Sequence, residues 1–175
     1  PSSIRLAAPG FGVAPFLATR DWSVGAAACE DRARTVLTST PPRRRPLVFA
    51  HRGGAALAPE NTLPAFRSAL ELGVRFLELD VHLSRDGVPI VTHDHLLART
   101  TGLPGSVFDH DASELATVEA AEAQRFGTRF AGTRLALLRE VLQLLAGRPE
   151  ITLFIEIKRA SLAQFGHDHV VSQVL

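Results

Sequence analysis

The chain has 175 residues, 46% hydrophobic and 21% charged, with a formal net charge of +1. That is enough apolar material for one domain with a core, and the near-neutral balance excludes a histone-like nucleic-acid binder or an acidic disordered tail. One cysteine, Cys29, excludes an internal disulfide framework, and no apolar run of about 18 residues marks a transmembrane segment. The chain starts at Pro1, contains no Met, and has a single lysine, Lys158, among 19 basic residues. A first residue other than Met predicts a processed or partial chain.

Residues 1–45 read as an irregular or disordered leader ahead of a domain spanning 46–175. Pro9, Gly10, Gly12 and Pro15 interrupt any helical or strand period, and the segment closes on TSTPPRRRP, Thr38–Pro46. Pro9 and Pro15 also break the apolar stretch Leu6–Ala18, so it makes a poor signal-peptide core. The expected compartment is the cytoplasm, and Arg43–Arg45 read as a solvated linker with no nucleic-acid role.

From Leu47 the pattern sharpens. LVFA, Leu47–Ala50, is a short apolar run that predicts a buried strand. After a Gly-rich turn, Asn61-Thr62 is expected to cap a helix with Pro64 in its first turn, running to about Leu72 and ending at Gly73. RFLELDV, Arg75–Val81, predicts a second strand and VPIVT, Val88–Thr92, a third. Only seven residues separate Asp80 from Val88, too few for a helical crossover. No helix is expected there; the chain is expected to return along the sheet and start a parallel strand, with Asp86-Gly87 as the turn. A mixed stretch follows, with a short helix near Ser113–Ala123 and the Gly-punctuated FGTRFAGT, Phe126–Thr133. An amphipathic helix over Leu137–Leu145 precedes a fourth strand, Ile151–Ile157. Strands alternating with helices predict an α/β fold with a parallel sheet covered on both faces.

The polar residues gather where strands end: His51 and Arg52, Glu78 and Asp80, His93 and Asp94, Glu156 and Lys158. In parallel barrels this end carries the active site. The period of two puts Glu78 and Asp80 on one face, with Glu156 and Lys158 repeating the arrangement. Three carboxylates on one inner face repel one another. A hard divalent cation, Mg²⁺ or Ca²⁺, relieves this; the alternative is a set of ion pairs with neighbouring Arg or Lys. His51 and His93 are expected at equivalent places on strands one and three, about 10 Å apart at twice the strand spacing. One could accept a proton while the other donates one. Arg52 and Lys158 supply fixed positive charge that suits a phosphate. His82 shares parity with Asp80 and is a candidate to support it. No Walker loop, dinucleotide fingerprint or serine elbow is present.

In order and spacing, HRGG (His51–Gly54), PENT (Pro59–Thr62), ELDVHLSRDG (Glu78–Gly87), THDHLLARTTG (Thr92–Gly102) and IEIK (Ile155–Lys158) closely resemble the glycerophosphodiester phosphodiesterase family. The likeness covers about residues 46–160. It implies a TIM barrel of the phospholipase-C-like phosphodiesterase type, present as an incomplete barrel of about four strands. It implies His51 and His93 as general acid and base, Glu78, Asp80 and Glu156 as metal ligands, and Arg52 and Lys158 as phosphate contacts. Glu60 and Asn61 fall in PENT and are expected to shape the loop after strand one. The implied reaction is metal-dependent cleavage of a small glycerophosphodiester to glycerol 3-phosphate and an alcohol. A complete barrel typically needs about 250 residues, so the chain is expected to be truncated, weakly active or inactive, and open to self-association through half-barrel edges. The alternatives are a non-catalytic metal- or phosphate-binding half-barrel and a sphingomyelinase-D-like phospholipase.

Overall fold

A computed structural model describes residues 46–175. The expectations for the leader, the basic run and Cys29 lie outside the described residues. The elements are β1 (Phe49–Ala50), a 3-10 turn (His51–Gly53), α1 (Leu63–Glu71), β2 (Phe76–Leu83), β3 (Pro89–Val91) and α2 (Ala98–Thr101). A second 3-10 turn (Val107–Asp109) is followed by α3 (Ala112–Leu115), α4 (Ala123–Phe126), β4 (Ala136–Leu137), α5 (Leu138–Leu145), β5 (Thr152–Ile157), α6 (Arg159–Phe165) and α7 (His167–Val174).

Strand β2 organises the sheet. Its odd-numbered side chains, Leu77, Leu79, Val81 and Leu83, are all fully buried. They pack with Phe66 and Ala69 of α1, Leu138 and Val141 of α5, and Val170 and Val174 of α7. Burying each such side chain stabilises the fold by about 1.5–3 kcal/mol. Leu153, Ile155 and Ile157 of β5 join the same cluster. The even-numbered residues of β2 therefore face the other way, and the chemistry sits there.

Helix α1 begins and ends largely as its sequence suggests. Pro64 lies in the first turn, and Gly73 follows the C-cap with φ 75°, a conformation that favours glycine. The expected side-chain capping is absent. Thr62 occupies the N-cap position, but its hydroxyl donates to the Pro59 carbonyl at 2.6 Å, and Asn61 is drawn away to Asp80.

Strands β1 and β5 pair with β2 in parallel, while β3 pairs with it antiparallel. This corrects the expectation of a parallel third strand. Ser84–Val88 closes a hairpin: the Ser84 N–H donates to the Val88 carbonyl at 2.9 Å, and Gly87 takes φ 78°. A connection this short closes an antiparallel pair far more readily than a parallel one. No helix intervenes, as expected. The fourth sequence-predicted strand is in fact the fifth. Two-residue β4, which pairs antiparallel with β3, is the additional strand; its Leu137 is the first residue of the expected amphipathic helix, which starts one residue later, at Leu138. The expected helix near Ser113–Ala123 does not form over most of its length: α3 ends at Leu115, α4 begins only at Ala123, and Glu119 between them makes an isolated β-bridge with Arg134.

Register explains where the site forms. Strand β5 runs along one edge of β2 from Phe76 to Val81, so β1 and β3 share the other. The parallel β1 reaches only Leu77, and the antiparallel β3 descends only to Val81. The segments after β1 and β3 therefore converge from opposite directions on residues 78–80 of β2.

Candidate active site

Three carboxylates meet on the inner face. Asp80 of β2 is in register with Glu156 of β5, and Glu78 lies two residues before Asp80. One oxygen from each of Glu78, Asp80 and Glu156 falls within a 4.8 Å group. Asp80 is 1% exposed. Its Oδ1 accepts from Lys158 Nζ at 3.2 Å, and its Oδ2 accepts from Asn61 Nδ2 at 2.9 Å. Lys158 Nζ also donates to Glu156 Oε1 at 2.7 Å. Burial works against the Lys158 ammonium, but these two carboxylates outweigh it and its pKa is raised.

Glu78 is compensated less well. Burial raises its pKa, more than the hydrogen bond to Oε2 from the Arg52 N–H at 2.8 Å lowers it. Its Oε1 is buried with no hydrogen-bond partner among the described residues. A buried unpartnered carboxylate oxygen beside two further carboxylates is the donor set of a hard cation. The three acids fit a metal, with ion pairs from Lys158 and Arg52 alongside.

The loop after β1 delivers His51, Arg52, Glu60 and Asn61. Arg52 and Asn61 both adopt left-handed backbone, φ 52° and 58°. This turns the Arg52 N–H onto Glu78 while the guanidinium reaches Glu60 at 3.0 and 3.1 Å. Arg52 Nε lies 3.4 Å from Asp80 Oδ2. Asn61 acts as a substitute strand: its Oδ1 accepts from the Asp80 N–H at 3.3 Å while its Nδ2 donates to the Asp80 carboxylate. His51 Nε2 is 3.9 Å from Glu78 Oε2, and its side chain is 67% exposed.

His93 arrives from the other direction. It follows an antiparallel strand, so the expected equivalence with His51 on next-but-one barrel strands does not hold. Its Nδ1 lies 2.6 Å from Asp94 Oδ1. His82 does not support Asp80 directly. Fully buried, it places Nδ1 2.9 Å from Ser161 Oγ and Nε2 3.1 Å from the His93 carbonyl. A carbonyl only accepts, so Nε2 carries the proton and Nδ1 accepts from Ser161. Burial pushes the His82 pKa down to about 4.

Sequence reading missed the ion pairs behind the site. Glu60 accepts from Arg99 as well as Arg52, with Arg99 Nη1 at 3.0 Å and Nη2 at 2.6 Å. Burial tends to raise the Glu60 pKa, but the two guanidiniums prevail and it is lowered. The Glu60 N–H donates to Glu122 at 2.6 Å, and Arg125 holds Glu122 and the Ala55 carbonyl. No residue spacing announces the Glu60 pairs; Arg52 is 8 positions from Glu60 and Arg99 is 39.

No helix among the described residues is long and apolar enough to cross a membrane. Comparison with known proteins places residues 51–173 in a match to the model described as the glycerophosphoryl diester phosphodiesterase family. The chain is similar to a glycerophosphodiester phosphodiesterase of Caldanaerobacter subterraneus, 44% identical over 112 residues, covering 64% of this chain and 45% of that protein. It is also similar to glycerophosphodiester phosphodiesterase 1 of Mus musculus, 34% identical over 143 residues, covering 82% of this chain and 41% of that protein. The chain thus spans less than half the length of these curated relatives. Among solved structures it resembles an Oleispira antarctica phosphodiesterase in complex with the product sn-glycerol-3-phosphate (TM-score 0.64, 30% identity, 73% of this chain and 49% of that one). It also resembles the Agrobacterium tumefaciens glycerophosphodiester phosphodiesterase (TM-score 0.58, 32% identity, 72% of this chain and 60% of that one).

Proposed function

The chain belongs to the glycerophosphoryl diester phosphodiesterase family, a TIM-barrel fold of which β1, β2 and β5 form a parallel arc, and on that premise we propose that it carries the metal, acid–base and phosphate groups for hydrolysing glycerophosphodiesters. The observation that carries this reading is the Glu78–Asp80–Glu156 cluster, with its unpartnered buried oxygen, beside His51, Arg52 and Lys158.

In this reading Glu78, Asp80 and Glu156 hold a divalent cation, Mg²⁺ or Ca²⁺, which when bound would neutralise charge on the phosphodiester oxygens. Arg52 and Lys158 hold the phosphate from the protein side. The substrate's glycerol 2-hydroxyl attacks phosphorus. One of His51 and His93 takes the hydroxyl proton, and the other gives a proton to the departing alcohol oxygen. Water then opens the cyclic phosphate with the two proton transfers reversed, releasing glycerol 3-phosphate. Glu60 and Asn61 shape the site, Glu60 by anchoring Arg52 and Asn61 by anchoring Asp80. The exposed inner-face apolar residues Phe49 and Phe154 favour self-association, read by sedimentation.

The test is calorimetric titration of the 175-residue chain with glycerol 3-phosphate, with and without Mg²⁺ or Ca²⁺. Metal-dependent binding, lost in Asp80→Asn, supports the reading; metal-independent binding, or none, refutes it. Release of glycerol 3-phosphate from glycerophosphocholine, compared with His51→Ala and His93→Ala, measures how much of the reaction these residues carry alone. Faster turnover of lysophosphatidylcholine than of glycerophosphocholine would favour the phospholipase alternative.

A further inference from the structure

We propose that Arg99 and Asp94 are a positioning pair that sets the tautomer of His93 and ties it to the Arg52 end of the site. The inference rests on the reading of His93 as a proton-transfer residue.

The geometry is a continuous chain of charged contacts. His93 Nδ1 meets Asp94 Oδ1 at 2.6 Å, and Arg99 Nε donates to Asp94 Oδ2 at 2.5 Å. The remaining nitrogens of Arg99 donate to both oxygens of Glu60, which also accepts from Arg52. The Arg52 N–H in turn holds Glu78. Glu60 is only 6% exposed at its side chain, so this bridge is fixed at its centre.

Each link has a chemical consequence. An ionised carboxylate only accepts, so Asp94 obliges His93 to carry its proton on Nδ1. Nε2 is then the atom left to take a proton from substrate. Asp94 is adjacent to His93 in sequence and 35% exposed, so unaided it would rotate into water. Arg99 holds its second oxygen and prevents that. The guanidinium grips both oxygens of Glu60 while its Nε holds Asp94; an ammonium can bridge two carboxylates, as Lys158 does, but it lacks the planar fork that fixes this geometry. Asp94, Arg99, Glu60 and Arg52 are two charges of each sign, so this stretch of the network carries no net charge. His82 completes the anchoring by binding the His93 carbonyl.

The test is long-range ¹H–¹⁵N NMR on the histidine-labelled chain, with His93 assigned from His93→Gln. The wild-type ring is expected in a single tautomer, protonated at Nδ1. Arg99→Gln, and equally Arg99→Lys, are expected to give a mixture of both tautomers while circular dichroism is unchanged. Rescue by Lys, or an unaltered single tautomer in Arg99→Gln, overturns the proposal. Asp94→Asn leaves the Arg99–Glu60 pair in place and reads the same contact independently, again with loss of the single tautomer expected. Metal-dependent binding of glycerol 3-phosphate judges the diesterase reading separately. Its absence alongside the His93 signature refutes the function and leaves the positioning pair standing.

Discussion

The neutral His82 makes stability depend on pH in a way that can be worked out from its surroundings. Its ring is 2% exposed, packed at the edge of Phe108, with both nitrogens occupied. Burial lowers its pKa from 6.5 to about 4. In the unfolded chain it takes up a proton below about pH 6.5; in the native state it does so only near pH 4. Between those values the unfolded state binds more protons, so stability is full above about pH 6.5, declines as pH falls, and levels off below about 4. At about 1.4 kcal/mol per pH unit the whole window is worth roughly 3 kcal/mol, a large share of a small domain's stability. Glu78 opposes this, since a raised pKa adds stability as pH falls; Glu60 and Asp94, both lowered, contribute stability that is full above the ordinary carboxylate range and is lost as pH falls through and below it. The decisive measurement is therefore a difference. Urea unfolding followed by circular dichroism, with chelator present, should be run from pH 7.5 to 4 on wild type and His82→Gln. The amide of Gln can donate and accept where His82 does but does not titrate. The gap between the two curves should shrink by about 3 kcal/mol across the window. A constant gap, or an NMR titration of His82 near 6.5, would refute the reasoning.

Other outcomes follow from the packing and the site. Leu79→Ala removes a fully buried side chain from the middle of β2 and should destabilise the fold by about 2–5 kcal/mol in the same assay. Gly53→Ala should cost about 1–3 kcal/mol, because φ is 75° and a Cβ would meet the Phe66 ring at 3.0 Å; a neutral result would show that the turn relaxes freely. Glu78→Gln should weaken Mg²⁺ or Ca²⁺ binding at least tenfold by calorimetry, since it removes one of three converging carboxylates. Unchanged affinity would place the ion elsewhere.

The period of two along ELD and IEI was enough to put Glu78, Asp80 and Glu156 on one face, because alternation is a local property of extended backbone. Helix α1 was legible for the same reason: Pro64 and Gly73 act on their own turns. The direction of β3 was not, since five turn residues constrain length and leave direction to be settled by which pairing closes. Two-residue β4 carries too few residues to show a period. The Glu60–Arg99 and Asp94–Arg99 bridges escaped because an ion pair requires only that two side chains meet in space. Arg99 is 39 positions from Glu60 and five from Asp94. His82 has the right parity but different partners, since its two ring nitrogens are taken by Ser161 and the His93 carbonyl.

The unequal sequence distances along β2 also set an order of assembly. The β2–β3 hairpin closes across five residues, whereas Leu79 must find Ile155, 76 positions later. Local pairings form quickly, and a long closure is slow because its entropy is lost before contacts reward it. Glu78, Asp80 and His93 should therefore be in place while Glu156 and Lys158 are still unplaced. An early folding species of this chain would carry Glu78 and Asp80 before Lys158 reaches Asp80, and divalent cations present during refolding would act first on that species.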